Sequence, residues 1–174
     1  MKKKMFYRFL LNNHGGVLYA PKGTDTRFGV EVLPVENWQN IEFTLRDGEY
    51  LPLMNSNTIA NFANEELKNL IQEIAPNDYP LDFYPIQVKS EEYGNKTYYL
   101  IHFRIIFDVI DEKNSVKVGL SYAKPFIDYE KAKDLDFFNS SHAINIIMVS
   151  DKMKKLMQQR KLDAGIDFCK VPYV

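Results

Sequence analysis

The sequence has one cysteine, almost no net charge and no long apolar run, and each shortage excludes a class of protein. Among 174 residues only Cys169 carries a thiol, which excludes an internal disulfide and a thiolate-rich metal site. A lone cysteine fits a reducing compartment, so the cytoplasm is the expected location. The net charge of −1, from 22 basic and 23 acidic residues, gives no bulk attraction to nucleic acid or anionic lipid.

Membrane and targeting segments are also missing. No apolar stretch approaches the roughly 20 residues that a helix needs to cross a bilayer. The lysines at residues 2–4 resemble the start of a signal peptide, but Arg8 interrupts the apolar run behind them and no small-residue cleavage site follows. We therefore expect neither export by this route nor a membrane partner. No glycine-rich phosphate loop is found either.

Aromatic residues are abundant and favour a sheet-rich fold. The chain has 12 Phe and 11 Tyr, which pack well on a pleated surface. Alternating apolar residues predict strands over 6–11, 29–33 and 41–45, and the β-branched and aromatic tract 97–107 predicts a central strand. Asp47-Gly48 predicts a hairpin turn, and Pro85 places the strand over 83–88 at an edge or a bulge.

Two stretches of the chain repeat one plan. Residues 62–72 align with residues 148–158 at an offset of 86, and residues 81–83 align with residues 166–168 at an offset of 85. In each copy an N-cap residue, Asn64 or Ser150, precedes apolar residues at helical spacing. The repeat predicts two strand-helix-strand units, in half-units of about 38–89 and 122–174.

Together these patterns predict an α+β fold in one domain over residues 1–174. We expect a mixed, mostly antiparallel sheet with two main helices packed on it. The expected assembly is a monomer or a weak homo-oligomer.

The histidines do not form a metal-binding pattern. His14, His102 and His142 are far apart, and none has a histidine or cysteine two to four residues away. No zinc site and no cofactor are therefore predicted. His102 is interpreted as a hydrogen-bonded or half-exposed residue of the central strand.

The best carboxylate cluster follows the predicted central strand and consists of Asp108, Asp111 and Glu112. Active-site acids often occupy such strand ends, and a hard cation can bridge carboxylate oxygens. An aspartate beside a turn more often accepts hydrogen bonds from backbone N–H groups, which is the interpretation favoured here. A metal-assisted hydrolase that uses Asp108, Asp111 and His102 is the alternative function.

Three further patterns are assigned to the fold, and no catalytic residue is predicted. Cys169 has no neighbouring histidine and is predicted to be a buried, inert thiol. Ser140-Ser141-His142 lacks the glycine-flanked turn of a nucleophile elbow. The basic tract fits the solvated face of an amphipathic helix better than a nucleic-acid-binding surface, and its members are Lys152, Lys154, Lys155, Arg160 and Lys161.

A series of short motifs from residue 38 to the C-terminus resembles one known family. They are Trp38-x-Asn40, Phe83-Tyr84-Pro85-Ile86-x-Val88, Tyr98-Tyr99, Asp108-Val109-Ile110-Asp111, Lys124-Pro125 with Asp128-Tyr129-Glu130-Lys131, Phe137-Phe138, and Val149-Ser150-x-Lys152 with Gly165-Ile166-Asp167-Phe168. Their order and spacing resemble the bacterial immunity protein family eleven, formerly a domain of unknown function. The chain departs from the family pattern at Asn139, where a basic residue is usual, and at Leu162-Asp163-Ala164.

The resemblance implies a stoichiometric inhibitor and not an enzyme. Proteins of this kind are inferred to bind and neutralise a cognate toxin of a polymorphic toxin system. An interface of that kind combines exposed aromatic residues with charges opposite to those of the toxin. Two patches are candidates for partner binding: the irregular N-terminal stretch with Phe28, Trp38 and Tyr50, and the acidic turn with Asp108, Asp111 and Glu112.

Overall fold

The computed structural model describes residues 3–12, 15–29, 31–32, 35–119, 121–140 and 143–174. Those residues form 12 strands, three α-helices and one 3₁₀ helix, Arg27–Gly29. The α-helices are α1 (Glu65–Ile74), α2 (Tyr129–Ala132) and α3 (Asp151–Gln159). The strands are β1 (Phe6–Leu11), β2 (Val17–Tyr19), β3 (Glu42–Arg46), β4 (Leu53–Asn55), β5 (Asn61–Ala63), β6 (Leu81–Lys89), β7 (Lys96–Phe103), β8 (Val116–Val118), β9 (Ser121–Lys124), β10 (Phe137–Ser140), β11 (Ala143–Ser150) and β12 (Ile166–Val171).

The strands form a four-stranded sheet in the order β10-β11-β1-β12, a six-stranded sheet in the order β2-β3-β6-β7-β5-β4, and the hairpin β8-β9. Neighbouring strands are antiparallel, apart from the parallel pair β3 and β6. The predicted α+β class, with a mostly antiparallel sheet and two main helices, is confirmed.

The repeat seen in the sequence is a repeat in space. In one half, α1 connects β5 to β6, and β7 lies between these two strands as an antiparallel neighbour of both. In the other half, α3 connects β11 to β12, and β1 lies between them in the same way. The hairpins β4-β5 and β10-β11 also correspond.

Strand register shows how far the correspondence extends. Ala63 of β5 lies opposite Tyr99, and its counterpart Val149 lies opposite Tyr7. On the other side of the central strand, Phe83 lies opposite Ile101, and Phe168 lies opposite Phe9. Both comparisons match β7 with the part of β1 that is 92 residues earlier. The N-terminal strand therefore completes the C-terminal unit.

Both helix starts use the predicted caps. The Asn64 side chain accepts a hydrogen bond from the Leu67 backbone N–H at 2.8 Å, and the Ser150 hydroxyl accepts one from Met153 N–H at 3.1 Å. These bonds satisfy N–H groups that have no partner within the first turn of a helix. The apolar face of each helix is buried, with Leu67, Leu70 and Ile71 on α1, and Met153 and Met157 on α3.

A cation–π contact is repeated as well. The Lys68 Nζ lies 3.9 Å from the centre of the Tyr99 ring, and the Lys154 Nζ lies 4.0 Å from the centre of the Tyr7 ring. Each lysine is the fourth residue of its helix, and each tyrosine lies on the central strand of its unit. The duplication thus preserves a contact between helix and sheet in addition to the apolar packing.

The two halves share a core. One buried cluster contains residues from both helices and from strands of both large sheets, including Leu70, Ile101, Val149 and Met157. A second cluster is enclosed by the six-stranded sheet, which curls until Leu18 of β2 bridges to Ser56 beyond β4. A third cluster lies between the four-stranded sheet and the segment 107–135.

Two local predictions are wrong, and a third is too long, because the central strand predicted over 97–107 ends at Phe103 as β7. Residues 29–33 were expected to form a strand, but Gly29 ends a 3₁₀ helix and residues 31 and 32 are irregular; residues 30, 33 and 34 lie outside the described chain. Asp47-Gly48 does not join a hairpin, because β3 pairs with β2 and β6. The turn at Asp47, whose φ is 62°, instead brings Glu49 to Gly16, whose N–H donates to the Glu49 carbonyl at 3.0 Å.

Pro85 lies in an interior strand, because β6 is between β3 and β7, so the predicted edge strand is also wrong. Its register with Tyr99 on β7 is continuous, so it makes no bulge there. Pairing between β6 and β3 begins only at Gln87, so at Pro85 the opposite side of β6 does not pair with β3. The missing proline N–H therefore costs no hydrogen bond to β3.

Candidate functional site

The six predicted partner-binding residues fall into two separate patches. Phe28, Trp38 and Tyr50 pack against the cluster inside the six-stranded sheet. The segment of Asp108, Asp111 and Glu112 is anchored by Val109 and Ile110, which belong to the third cluster. The aromatic and acidic patches therefore lie on different clusters and do not form one surface.

The aromatic patch is built on Trp38, whose position is fixed by three contacts. The indole N–H donates a hydrogen bond of 2.7 Å to the carbonyl of Pro85. The Trp38 ring meets Phe28 edge to face, with ring centres 5.4 Å apart, and it lies 5.3 Å from the ring of Tyr84. Both Phe28 and Trp38 are half-buried, so part of each ring faces solvent.

Phe28 and Trp38 line an open cleft of about 510 Å³. Its described lining residues lie in two segments between β2 and β3, Thr24, Asp25, Arg27, Phe28 and Glu31 in the first and Val35, Glu36, Asn37, Trp38, Gln39 and Ile41 in the second. We call this the aromatic cleft. Its size falls within the range of ordinary ligand and peptide pockets.

Carboxylates surround the aromatic cleft. Asp25 and Arg27 form an exposed, bidentate ion pair with a shortest N–O distance of 2.6 Å. Hydrogen bonds from the Arg27 side chain and backbone lower the pKa of Asp25 to about 2. The pKa of Arg27 is raised chiefly by its hydrogen bond to Asp25 and also by the charge of Glu31, so among the described lining residues one cation faces three carboxylates, Asp25, Glu31 and Glu36. The cleft is acidic at neutral pH.

Tyr50 is engaged inside the fold. Its hydroxyl is within hydrogen-bond distance of two carbonyls, those of Gly94 at 2.9 Å and Val88 at 3.2 Å. Its ring stacks on Tyr98 at 5.7 Å, and Lys96 lies 4.7 Å from the ring centre. Burial raises the pKa of the Tyr50 hydroxyl. Tyr50 does not line the aromatic cleft, and we leave it out of the proposed interface.

The acidic turn also has internal partners. Asp111 accepts hydrogen bonds from the backbone N–H groups of Lys113 and Asn114, as its position beside a turn predicted. The Asn114 side-chain amide donates to Asp111 at 2.7 Å and is the main cause of a lowered Asp111 pKa. Asp108 pairs with Lys131 at 2.7 Å, and Glu112 accepts from the Tyr122 hydroxyl at 2.7 Å.

The contacts of His102 differ from those the hydrolase alternative requires. His102 is only 2% exposed, its ring lies 5.9 Å from that of Tyr84, and it is in register with Asp82. It borders a cavity of about 20 Å³ whose lining includes Glu31 but neither Asp108 nor Asp111. Within the described ranges no three His, Cys, Asp or Glu side chains are grouped to hold a metal ion. His14 and His142 lie outside those ranges.

Three residues of the basic tract, Lys152, Lys154 and Arg160, contact other side chains of the same fold. Arg160 donates two hydrogen bonds to Glu73, at 2.9 and 2.8 Å, and so ties α3 to α1. Lys152 lies 3.4 Å from Asp136, and Lys154 covers Tyr7. These contacts agree with the interpretation of the tract as an amphipathic helix.

Cys169 departs from its prediction. The thiol was expected to be buried, but Cys169 is half-buried. Cys169 lies on the same face of β12 as Val171, which the third cluster buries, but Cys169 is not a member of that cluster. Ser140 is buried on β10, and the remainder of Ser140-Ser141-His142 lies outside the described residues.

Sequence reasoning missed the acidic residues of the aromatic cleft, Asp25, Glu31 and Glu36. The available signal was local: three carboxylates and two aromatic residues, Phe28 and Trp38, occur between residues 25 and 38 in a stretch rich in turn formers. These residues come together at the 3₁₀ turn Arg27–Gly29. The alternation of apolar residues over 29–33 instead predicted a strand that begins at Gly29.

No protein-family model and no curated protein matches the chain. The resemblance to the immunity family therefore stays a prediction. None of the helices in the described residues is long and apolar enough to cross a membrane.

Proposed function

We propose that this chain is an immunity protein that binds a cognate bacterial toxin domain and neutralises it by direct contact. In this proposal it acts in the cytoplasm as a stoichiometric inhibitor, without a cofactor or a catalytic residue of its own. The ordered motifs between Trp38 and Phe168 support the proposed family, and the aromatic cleft is the surface proposed for the contact.

The observation that carries the proposal is the fixed, half-exposed pair Phe28 and Trp38 at an open cleft. Aromatic side chains that are already held in place lose little conformational entropy on binding and are over-represented among the residues that dominate interface energies. Trp38 is held by its hydrogen bond to the Pro85 carbonyl and by Tyr84. The cleft is therefore organised before a partner arrives.

The position of the cleft in the fold is also informative. The repeated units use their matching residues for caps, helix faces and central strands, which are needed to build the fold. The cleft lies between β2 and β3, outside the strands and helices that correspond in the two units. Binding surfaces are commonly placed on such loops supported by a rigid scaffold.

Co-expression with the product of the neighbouring reading frame tests the proposal. The expected result is co-purification of the two proteins and survival of cells that die when that product is expressed alone. Phe28→Ala is expected to weaken the complex at least about tenfold, since aromatic anchors contribute about 2 kcal/mol or more. Tyr93→Ala is the control, because Tyr93 is an aromatic residue 41% exposed outside the cleft. Absence of a complex together with absence of protection would refute the function.

A further inference from the structure

The charges of the aromatic cleft favour a cationic occupant. Among its described lining residues, three carboxylates, Asp25, Glu31 and Glu36, face the one cation Arg27, which pairs with Asp25 and is also attracted by Glu31. The excess negative charge lies beside the partly exposed rings of Phe28 and Trp38. A cation gains attraction from an aromatic face within about 6 Å and from carboxylates at the rim of the same cleft. A lysine or arginine side chain satisfies both requirements with one group, whereas an acidic or purely apolar occupant leaves the carboxylates unmatched.

An exposed isoleucine on the turn that packs against the 3₁₀ helix of Phe28 favours a protein as the source of the cation. Ile59 is 56% exposed at the turn between β4 and β5. This turn packs against the 3₁₀ helix that carries Phe28: a Cβ on Gly29 would lie 2.3 Å from the Thr58 carbonyl oxygen and 3.3 Å from the Ala60 Cβ. A small cation alone has no use for an apolar contact here, whereas a peptide segment has side chains for both.

The backbone of Ile59 is strained. Its φ of 67° is in the left-handed region, where β-branched residues are rare because the Cβ is crowded. Glycine or asparagine fits such a turn with less strain. The fold thus keeps a large apolar residue in a strained conformation and leaves most of its surface in water.

From this combination we propose that the aromatic cleft receives a basic segment of the partner protein. A lysine or arginine side chain of that segment lies on the Phe28 and Trp38 rings with Glu31 and Glu36 as counter-charges, and an apolar side chain beside it contacts Ile59. This inference rests on the proposed function, because it specifies the part of the toxin that the immunity protein recognises.

Trp38 provides the assay, since it is the only tryptophan in the sequence and it lines the cleft. Random dodecapeptides displayed on phage are selected on the immobilised full chain, and selected peptides are then titrated while Trp38 emission is followed. The expected result is an excess of lysine and arginine among the selected peptides, a change in Trp38 emission on binding, and affinity that falls with added salt. Selection of no peptide, or of peptides without basic residues, would overturn the inference.

Charge-neutral variants identify the carboxylates responsible. The double variant Glu31→Gln with Glu36→Gln is expected to bind the selected peptides at least about tenfold more weakly and with a smaller dependence on salt. The control is Glu65→Gln with Glu66→Gln, which removes the same charge from the exposed first turn of α1. Equal affinity of the two double variants would contradict the assignment.

Ile59→Gly separates recognition from folding. The variant is expected to raise the melting temperature, because strain is relieved, and to lower the affinity for the selected peptides by at least about threefold. A higher melting temperature with full affinity would show that Ile59 has no part in recognition.

The inference and the proposed function fail in different ways. If the toxin co-purifies but binds the Glu31→Gln, Glu36→Gln variant as tightly as the wild type, the function stands and the basic occupant is wrong. If basic peptides bind at Trp38 but the neighbouring gene product does not, the cleft is assigned correctly and its toxin partner is not.

Discussion

Replacing Asp136 with asparagine tests whether α3 depends on a partly buried carboxylate that has no counterpart beside α1. The Asp136 side chain is 15% exposed and accepts a hydrogen bond of 2.5 Å from the Ser150 hydroxyl. It also pairs with Lys4 at 3.0 Å and, more weakly, with Lys152 at 3.4 Å. Ser150 is the N-cap of α3, so Asp136 fixes the hydroxyl that caps the helix. The matching position in the first unit is Pro52, which has no side chain for this role.

The size of the effect follows from these contacts. A hydrogen bond to a charged group contributes about 1.5–3 kcal/mol, and the pair with the exposed Lys152 adds at most about 1 kcal/mol. Asp136→Asn is therefore expected to lower the free energy of unfolding by about 2–3 kcal/mol at pH 7. Urea unfolding followed by Trp38 emission and far-UV circular dichroism measures it. Asp25→Asn, which removes an exposed paired carboxylate, is the control and is expected to cost much less.

The pH dependence gives a second test of the same contacts. Burial alone would raise the pKa of Asp136, but the hydrogen bonds from Ser150 and Lys4 outweigh burial and lower it. A lowered folded-state pKa adds stability above the unfolded-state value of about 3.9, and that stability is lost as pH falls through the folded-state pKa. The difference between wild type and Asp136→Asn should therefore be full at pH 7 and shrink below about pH 4. A difference below about 0.5 kcal/mol at pH 7, or one unchanged at pH 3, would refute the reasoning.

Three further predictions concern the fold. Asn64→Ala should cost about 1 kcal/mol in urea unfolding because it removes an N-cap. Ser150→Ala should cost more, because it removes an N-cap and also the hydroxyl that donates to Asp136. Equal losses would contradict the role of Asp136. Gly29→Ala should lower the free energy of unfolding by about 3 kcal/mol, since the added Cβ would lie 2.3 Å from the Thr58 carbonyl oxygen. Gly23→Ala is the control and should cost about 1 kcal/mol, because an added Cβ there has no atom within 4 Å and only the φ of +86° disfavours alanine. Lys68→Met and Lys154→Met should each lose about 0.5–1 kcal/mol of cation–π energy, and a loss at only one of them would show that the repeated contacts are not equivalent.

The parts of the fold that depend on local chemistry could be predicted from the sequence. Asn64 and Ser150 were recognised as N-caps because an oxygen-bearing side chain before an amphipathic stretch satisfies free N–H groups wherever the helix packs. The alternation over 41–45 predicts one face for Ile41, Phe43 and Leu45, because side chains alternate along any strand. Phe43 and Leu45 are buried, and Ile41, just before β3, is partly buried. These features need no knowledge of distant neighbours.

Strand partners could not be predicted in the same way. β1 was recognised as a strand, but its role as the counterpart of β7 depends on pairing with β11 and β12 more than 130 residues away. The turn at Asp47-Gly48 has the composition of a hairpin turn, yet β3 finds its partners in β2 and β6. Nothing in the residues of a turn specifies which edge the next strand will join.

The candidate site was predicted in part for the same reason. Phe28 and Trp38 were chosen because aromatic residues in an irregular stretch often anchor interfaces, and the fold brings both to one cleft. Tyr50 has the same residue type, but its hydroxyl and ring are engaged with Gly94 and Tyr98. Composition cannot distinguish an aromatic ring that packs inward from one that lines a cleft.

Hydrogen exchange of the complex with the toxin domain shows which surface of the immunity protein the toxin covers. Toxin binding is expected to slow amide exchange in residues 25–29, 31–32 and 35–41 and in the adjacent turn 57–60, and to leave exchange in the acidic turn 108–115 unchanged. Slower exchange confined to residues 108–124, or no slowing in the segments that form the aromatic cleft, would show that the toxin does not bind at the cleft.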